Sequence, residues 1–165
     1  VGIVGAFEGA ARFAANEQLL SRTHFARFLV EAGHVKDVRD VFKRYLTPGR
    51  PGYVEHEWAS LADVVNWIHG AGGQAVHAHP GRYKINRHGM RELLAEFKDR
   101  GGDAIEVLTS SHTHAQYAEY ASYALHFGFL ASCGSDYHGP GESWMDFGDL
   151  PPMPPGLTPV WHAWT

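Results

Sequence analysis

The sequence predicts an α/β fold in which a small helical segment precedes part of a parallel sheet or of a barrel. Two observations support this prediction. Residues 1–58 contain amphipathic helices joined by short polar links, and residues 59–165 contain three successive units of a helix, a glycine stop and a short apolar strand. Because parallel strands need a helical crossover between them, repeated helix–strand units are typical of parallel architectures.

The composition fits one globular chain. Its 165 residues include 14 Lys and Arg against 18 Asp and Glu, a net charge of −4, and 44% are apolar, which argues against disorder. No apolar run approaches the roughly 18 residues of a membrane span and no signal segment is seen, so we expect a soluble, cytoplasmic protein without membrane contact. The single cysteine, Cys133, is expected to be a buried strand residue. The mild acidity argues against extended, charge-driven binding of duplex nucleic acid.

The helical segment comes first. Apolar residues at three-and-four spacing predict one helix over residues 22–33 and a second over residues 36–46. Two prolines and two glycines within residues 47–52 then break regular structure. We therefore expect a subdomain boundary near residues 47–59 and divide the chain into residues 1–58 and 59–165.

The second part carries the three helix–strand units. Its first helix is expected from Ser60, with Asp63 as a capping signal, to a stop at Gly72 and Gly73. The other helices are expected over about residues 89–100 and 112–127, with Ser111 as the cap of the last. The strands are expected over residues 74–79, 103–108 and 129–133.

Polar side chains follow each strand, at the edge where the loops of a parallel sheet face one crevice. Asp136 and His138 lie two residues apart just past the third strand, so an extended backbone would point both to the same side. His79 ends the first strand and can lean into the same crevice. A carboxylate and imidazoles suit Zn, Mn or Fe, so these three residues are candidate metal ligands. The alternative is a turn in which Asp136 bonds local backbone amides.

Three further histidines lie at or near the expected strand ends. His77 lies one layer below His79 on the same strand face, where it is either a competing ligand or a packed interior histidine with a backbone partner. His112 comes first off the second strand end and is a candidate substrate contact. His114 is expected to face solvent.

The candidate phosphate contacts are cationic. Arg22 and His24 begin an apolar helix, where the helix dipole and free amides favour an anion. Arg82 is expected to position a phosphate at the mouth of the crevice, with further positive charge from Lys43, Arg44, Arg50 and Lys84. Glu106 lies inside the second strand and needs a partner, either an ion pair with Arg82 or a neighbour, or a metal.

Several segments together resemble the PHP (polymerase and histidinol phosphatase) phosphoesterases, and within them the RNase AM or nucleoside 3′,5′-bisphosphate phosphatase type. They are SRTHFAR at residues 21–27, FKRYL at 42–46, GQAVHAHPGRY at 73–83, AIEV at 104–107, SH at 111–112 and GSDYH at 134–138.

The resemblance implies a distorted (β/α)7 barrel with a helical insertion and two or three divalent ions, often manganese. Residues 1–58 then correspond to the insertion and residues 59–165 to the C-terminal portion of the barrel. By position, His79, Asp136 and His138 match metal ligands of the family. Arg22 and His24 match an R-x-H-F segment assigned to substrate phosphate or the cleft wall, and His112 matches a segment near the substrate.

The family's first strand carries an H-x-H-T-x-x-S-D-G motif that this sequence does not contain. We therefore expect a truncated chain that lacks part of the metal site and is inactive alone. His112 and His114 do not replace this motif, because their flanking residues differ.

The function expected from these observations is metal-dependent hydrolysis of nucleotide phosphate esters, with nucleoside 3′,5′-bisphosphates or 5′-phosphorylated short RNA as substrates. Two alternatives stay open: a non-catalytic nucleotide- or RNA-binding fragment with an incomplete metal site, and a metallohydrolase of amidohydrolase type. No P-loop, G-x-G-x-x-G or G-x-S-x-G motif occurs, so other nucleotide-binding folds and serine hydrolases lose support. The oligomeric state is not predicted.

Overall fold

A computed structural model describes residues 2–139 and 145–164 of the chain, without the side chain of residue 163. The chain divides into two compact units, Val1–Trp58 and Ala59–Thr165. None of the described helices is long and apolar enough to cross a membrane.

The first unit is helical. Its helices are α1 (Ala6–Ala11), α2 (Arg22–Glu31) and α3 (Val38–Val41), with a short 3-10 turn at Glu17–Leu19. α3 continues as a wider π-helical turn over Phe42–Leu46, so the helix predicted over residues 36–46 changes its winding midway. Small and branched side chains form the core of this unit: Ala26, Leu29, Val35, Val41 and Leu46.

The second unit alternates helices and strands. In chain order they are α4 (Leu61–Gly70), β1 (Val76–His77), α5 (Arg87–Asp99), β2 (Ala104–Thr109), α6 (His114–Phe127) and β3 (Leu130–Gly134). Short 3-10 turns follow β1 at Pro80–Arg82 and close the described chain at Val160–Trp164. The α/β prediction is therefore confirmed for this unit.

The three strands form one parallel sheet in the order β1-β2-β3. Val76 pairs with Ala104 and Ala104 with Leu130, so the carboxyl ends of all three strands lie at one edge. A register shift between Glu106 and Leu108 interrupts the pairing of β2 with β3. Irregularities of this kind re-aim side chains beside functional sites.

The hydrophobic core of the second unit lies between the sheet and its helices. Fully buried side chains from β2 and α5, among them Ile105, Val107 and Leu94, pack there. Asp103 links α4 to β1, because its Oδ2 accepts the Ala75 N–H at 2.7 Å and lies 2.8 Å from His69 Nε2. Asp103 therefore connects the end of α4 to the residue that directly precedes β1.

Two predicted boundaries need correction. α6 begins at His114, and its cap is Thr113 rather than Ser111. The Thr113 hydroxyl accepts the Gln116 N–H at 3.3 Å while the Gln116 side chain accepts the Thr113 N–H at 2.8 Å, which is a capping box. The strand predicted over residues 74–79 is paired only at Val76–His77, since the backbone leaves the extended region at His79.

Candidate functional site

His79 lies just past the carboxyl end of β1, at the start of a tight turn. His79 has φ 32° and ψ 56°, a left-handed conformation, and Pro80 opens the 3-10 turn that ends at Arg82. We call residues 79–82 the β1 turn. Because a left-handed backbone is rare for a residue with a Cβ, surrounding groups must hold it.

Glu106 of β2 lies beside this turn. Its Oε2 accepts the His79 backbone N–H at 2.6 Å. Burial raises the pKa of the Glu106 carboxyl, as does the Asp136 charge, whereas the hydrogen bond from His79 and the charge of its ring lower it. An ion pair of Glu106 with Arg82 was one of the alternatives left open by the sequence. In the structure Arg82 pairs with Asp136 instead, and Glu106 accepts a hydrogen bond from the main chain of residue 79.

Asp136, beyond β3, faces the same edge. Its Oδ2 accepts a hydrogen bond from Arg82 Nη1 at 3.2 Å. The His138 Nδ1 lies 2.8 Å from the Asp136 carbonyl oxygen and 3.8 Å from the Asp136 Oδ1. Three of the residues singled out in the sequence, Arg82, Asp136 and His138, therefore meet at the strand ends.

The reason for this meeting differs from the one expected. An extended backbone was predicted to align Asp136 and His138, but Asp136 has φ 51°. The chain turns at Asp136, and the turn brings the His138 ring back onto the Asp136 carbonyl. Asp tolerates this conformation better than most residues because its short polar side chain can bond locally.

The donor types at this edge suit a divalent cation, since carboxylate oxygen and imidazole nitrogen are both present. Within residues 2–139 and 145–164, however, no three His, Cys, Asp or Glu side chains are grouped closely enough to hold a metal ion. His79, Asp136 and His138 therefore do not by themselves form a metal site among the described residues.

His77, two residues before His79, is half-buried. Its ring stacks on Tyr83 at 5.3 Å and contacts Phe97 at 5.5 Å between centroids. Its Nε2 is buried without a hydrogen-bond partner among the described residues. Burial, with a smaller effect of the His79 charge, lowers the pKa of His77 to about 4. The ring is therefore neutral at physiological pH.

His112 is buried behind the β1 turn, with only 6% of its surface exposed. Its Nε2 accepts the Gly81 N–H at 3.0 Å, and its Nδ1 lies 3.0 Å from the Val107 carbonyl oxygen, which assigns the proton to Nδ1. Burial lowers the pKa of the His112 ring. Both ring nitrogens of His112, a candidate substrate contact in the sequence, thus face main-chain groups.

The first unit contains the other two candidates. Arg22 is exposed at the start of α2, and its guanidinium carbon lies 5.8 Å from the centre of the Phe42 ring. His24 Nδ1 accepts the Ser21 N–H at 3.1 Å and so completes a capping box for α2. His24 therefore has a role in its own helix that its R-x-H-F context did not indicate.

Sequence reasoning also missed two supports of the site. The close packing of Gly81 is one: a Cβ there would lie 2.6 Å from His112 Cδ2 and 2.7 Å from Gln116 Nε2. The bond from Glu106 to the His79 N–H is the other. The glycine of the A-H-P-G string is a signal for the first, because glycine is the residue used where another group approaches the main chain closely.

No family model matches the chain. It is 51% identical over 161 residues to a 3′,5′-nucleoside bisphosphate phosphatase of Chromobacterium violaceum. This match covers 98% of this chain and 56% of the relative. It is 40% identical over 162 residues to the 5′-3′ exoribonuclease Rnm of Escherichia coli, covering 98% of this chain and 55% of the relative. The chain thus spans about half the length of the curated relatives it matches.

Two solved structures are similar to the chain. One is described as an amidohydrolase from Chromobacterium violaceum with bound sulfate and no metal; it has a TM-score of 0.88 and 50% identity, over 98% of this chain and 56% of the other. The second is a putative metal-dependent phosphoesterase from Bifidobacterium adolescentis, with a TM-score of 0.67 and 25% identity over 85% of this chain and 52% of the other. The curated relatives are thus named as a phosphatase and an exoribonuclease, and the second solved structure as a putative metal-dependent phosphoesterase.

Proposed function

We propose that the chain contributes part of the active site of a metal-dependent phosphoesterase that hydrolyses phosphate esters of nucleotides. The observation that carries this proposal is the meeting of Arg82, Asp136 and His138 at the carboxyl edge of a parallel sheet, next to the His79 turn. The named activities of relatives matched over 98% of the chain support it. We further propose that residues 59–165 form the C-terminal portion of a distorted (β/α)7 barrel and residues 1–58 a helical insertion.

The proposed metal ligands are His79, Asp136 and His138, which would hold part of a set of two or three divalent ions. Manganese is the expected ion, with zinc or iron as alternatives. Such ions, when bound, lower the pKa of a coordinated water and neutralise charge on a phosphoester. The ring proton of His138 on Nδ1, held by the Asp136 carbonyl, fixes the tautomer of that ligand.

Arg82 is proposed to orient the substrate phosphate. Its guanidinium donates a hydrogen bond to Asp136 Oδ2. Because the side chain is more than half exposed, it is accessible to an anion from solvent. Arg22 and His24 are proposed as further phosphate contacts. His112 has both ring nitrogens engaged, so we assign it to support of the β1 turn instead of direct contact with substrate.

The proposed substrates are nucleoside 3′,5′-bisphosphates or 5′-phosphorylated short RNA. These follow the names of the phosphatase and exoribonuclease relatives. Binding is proposed to be local to the phosphate and not to extend along a duplex, because the chain carries a net charge of −4. The cytoplasm is the proposed compartment.

The test measures phosphate release from a nucleoside 3′,5′-bisphosphate and from 5′-phosphorylated RNA with added Mn²⁺, using the full-length protein that contains this chain. We expect His79→Ala and Asp136→Ala to lower kcat/KM by about 100-fold or more, because each removes a proposed ligand. His114→Ala is the matched control: His114 is exposed and first in α6, and its variant should keep the wild-type rate.

Wild-type rates in His79→Ala or Asp136→Ala would remove these residues from the active centre. Salt-dependent binding of phosphate ligands without turnover would favour the non-catalytic binding function. Turnover of amide or lactone substrates in place of phosphoesters would favour an amidohydrolase, the activity named for one structural neighbour.

A further inference from the structure

We propose that Glu106 and His112 are positioning residues that clamp the β1 turn at two of its amides, those of His79 and Gly81, and bind neither metal nor substrate. The inference rests on the proposed function for the roles of His79 and Arg82, which this turn carries. Both clamping residues come from β2 or the loop that follows it, so one strand end sets the geometry of the neighbouring strand end.

The Glu106 end of the clamp holds the first residue of the turn. The hydrogen bond from the His79 N–H to Oε2 is 2.6 Å long and links groups 27 residues apart in the chain. The other oxygen, Oε1, is already close to β3, because a Cβ added at Gly134 would lie 3.2 Å from it. The carboxylate therefore lies between the ends of β1 and β3, where its hydrogen bond to the His79 amide can hold the main chain in place.

The His112 end holds the third residue of the turn. One ring nitrogen accepts the Gly81 N–H and the other is anchored on the Val107 carbonyl oxygen of β2. The ring also stacks on Tyr120 of α6 at 4.7 Å between centroids, with 28° between the planes. Because the ring is fixed by the sheet and by a helix, it is a rigid acceptor for the Gly81 amide.

Gln116 contacts the carbonyl side of the same Gly81 peptide. Its Nε2 is 3.4 Å from the Gly81 carbonyl oxygen. The Gly81 peptide is thus bonded at its N–H by His112 and approached at its carbonyl by Gln116, and a side chain at residue 81 would collide with both. The Gly81 peptide is therefore held at both its N–H and its carbonyl group.

The clamp explains how His79 keeps its unusual backbone. A non-glycine residue in the left-handed region persists only where its surroundings over-determine it. Without the Glu106 acceptor, His79 is expected to relax towards an extended conformation, which would swing its imidazole away from the edge that Asp136 shares. The same relaxation would displace Arg82, which is bonded to Asp136 Oδ2.

The first experiment measures amide hydrogen exchange at residues 79 and 81 by NMR. Glu106→Ala should speed exchange of the His79 amide by about fivefold to tenfold, and His112→Phe, which keeps an aromatic ring on Tyr120, should do the same at Gly81. Exchange at Ile105, in the core, should stay at the wild-type rate and shows that each variant is folded. His114→Ala is the control. Unchanged exchange at residues 79 and 81 in folded variants would overturn the clamp.

The second experiment separates positioning from ligation, by measuring Mn²⁺ affinity in the full-length protein. Glu106→Gln keeps an acceptor oxygen but removes the charge. Under the clamp it should bind Mn²⁺ within about twofold of wild type, whereas Glu106→Ala should bind about 10- to 100-fold more weakly. Equal losses in the Gln and Ala variants would make Glu106 a metal ligand and overturn the inference.

The two experiments also separate this inference from the proposed function. A wild-type protein that binds no Mn²⁺ would contradict the proposed metal site, while the exchange rates at residues 79 and 81 would still decide whether the clamp exists. If Mn²⁺ binds and Glu106→Ala binds it as tightly as wild type, the clamp fails and the metal site stands.

Discussion

Tyr120 lies beneath His112 and is almost fully buried, with 5% of its surface exposed. Its ring stacks on the His112 ring and lies 6.0 Å from that of Tyr123. Burial, together with the Glu119 charge and Tyr123, raises the pKa of Tyr120 to about 12. The phenol beneath the clamp therefore stays protonated in the folded protein well above the pH at which it ionises in an unfolded chain.

This gives a stability prediction with a definite sign. A pKa raised above the unfolded value of 10.0 means that the stabilisation is fully present below pH 10 and is lost as the pH rises towards 12. Between pH 8 and pH 11, the unfolding free energy of the wild type should fall by about 1 kcal/mol more than that of Tyr120→Phe. Urea unfolding of both proteins at pH 8 and pH 11 measures this difference in the free energy of unfolding. The pKa of Tyr123 is also raised mainly by burial, but Tyr123 is present in both proteins, so its effect cancels in the comparison. An equal fall in both proteins would contradict the assignment.

Residue types and spacing indicated which side chains meet at the strand ends, but not how they are held. Arg82, Asp136 and His138 could be singled out because they follow strands. That Glu106 would bond the main-chain amide of His79 in the β1 turn depends on strand order and on the register shift in β2, which are properties of the folded sheet. The positive φ of Asp136 has no local signature either, since no glycine stands there.

At the scale of elements, the start of α6 shows how neighbouring hydroxyls can have different roles. Thr113 and Ser111 both precede the helix, and both are typical caps. Thr113 has an extended backbone and makes the reciprocal Gln116 bonds of a capping box. The Ser111 Oγ is buried without a hydrogen-bond partner among the described residues.

We therefore expect Thr113→Ala to lower the unfolding free energy by about 1 kcal/mol, because it leaves a first-turn amide of α6 without an acceptor. Ser111→Ala is the matched control and should change stability by less than about 0.5 kcal/mol. Chemical denaturation of the two variants and the wild type measures both values. A larger loss in the serine variant would restore Ser111 as the cap.

Helices and strands of the second unit were predictable in type and order because their apolar periods and glycine stops are clear. The predicted strand over residues 103–108 and helix over about 89–100 differ by one or two residues from Ala104–Thr109 and Arg87–Asp99. The first strand was overestimated, because its end is set by the clamp on the β1 turn. The π-helical turn at Phe42–Leu46 also escaped prediction, since its apolar residues fit an ordinary helix.

At the scale of the whole molecule, each unit has its own hydrophobic core. In the second unit Leu94 of α5 is completely buried at the centre of the core, while Leu125 of α6 is 60% exposed. The same substitution can therefore be made at a core and at a surface position of one unit.

Leu94→Ala should destabilise the second unit by about 2–5 kcal/mol, because it removes buried methyl groups and leaves a cavity. Leu125→Ala should stay within about 0.5 kcal/mol of wild type. Hydrogen exchange at the β2 amides of Ile105 and Leu108 reports the stability of this unit directly. Similar exchange rates in the two variants would show that α5 does not pack on the sheet as described.

The left-handed backbone of His79 and Asp136 lowers stability at two positions whose side chains are proposed to be functional. These are the non-glycine residues with positive φ in the described part of the chain, and both are proposed ligands. Glycine at either position would relieve backbone strain of about 1 kcal/mol or more and would remove the functional side chain. Selection for heat resistance alone would therefore favour replacing these two residues, whereas selection for catalysis would retain them.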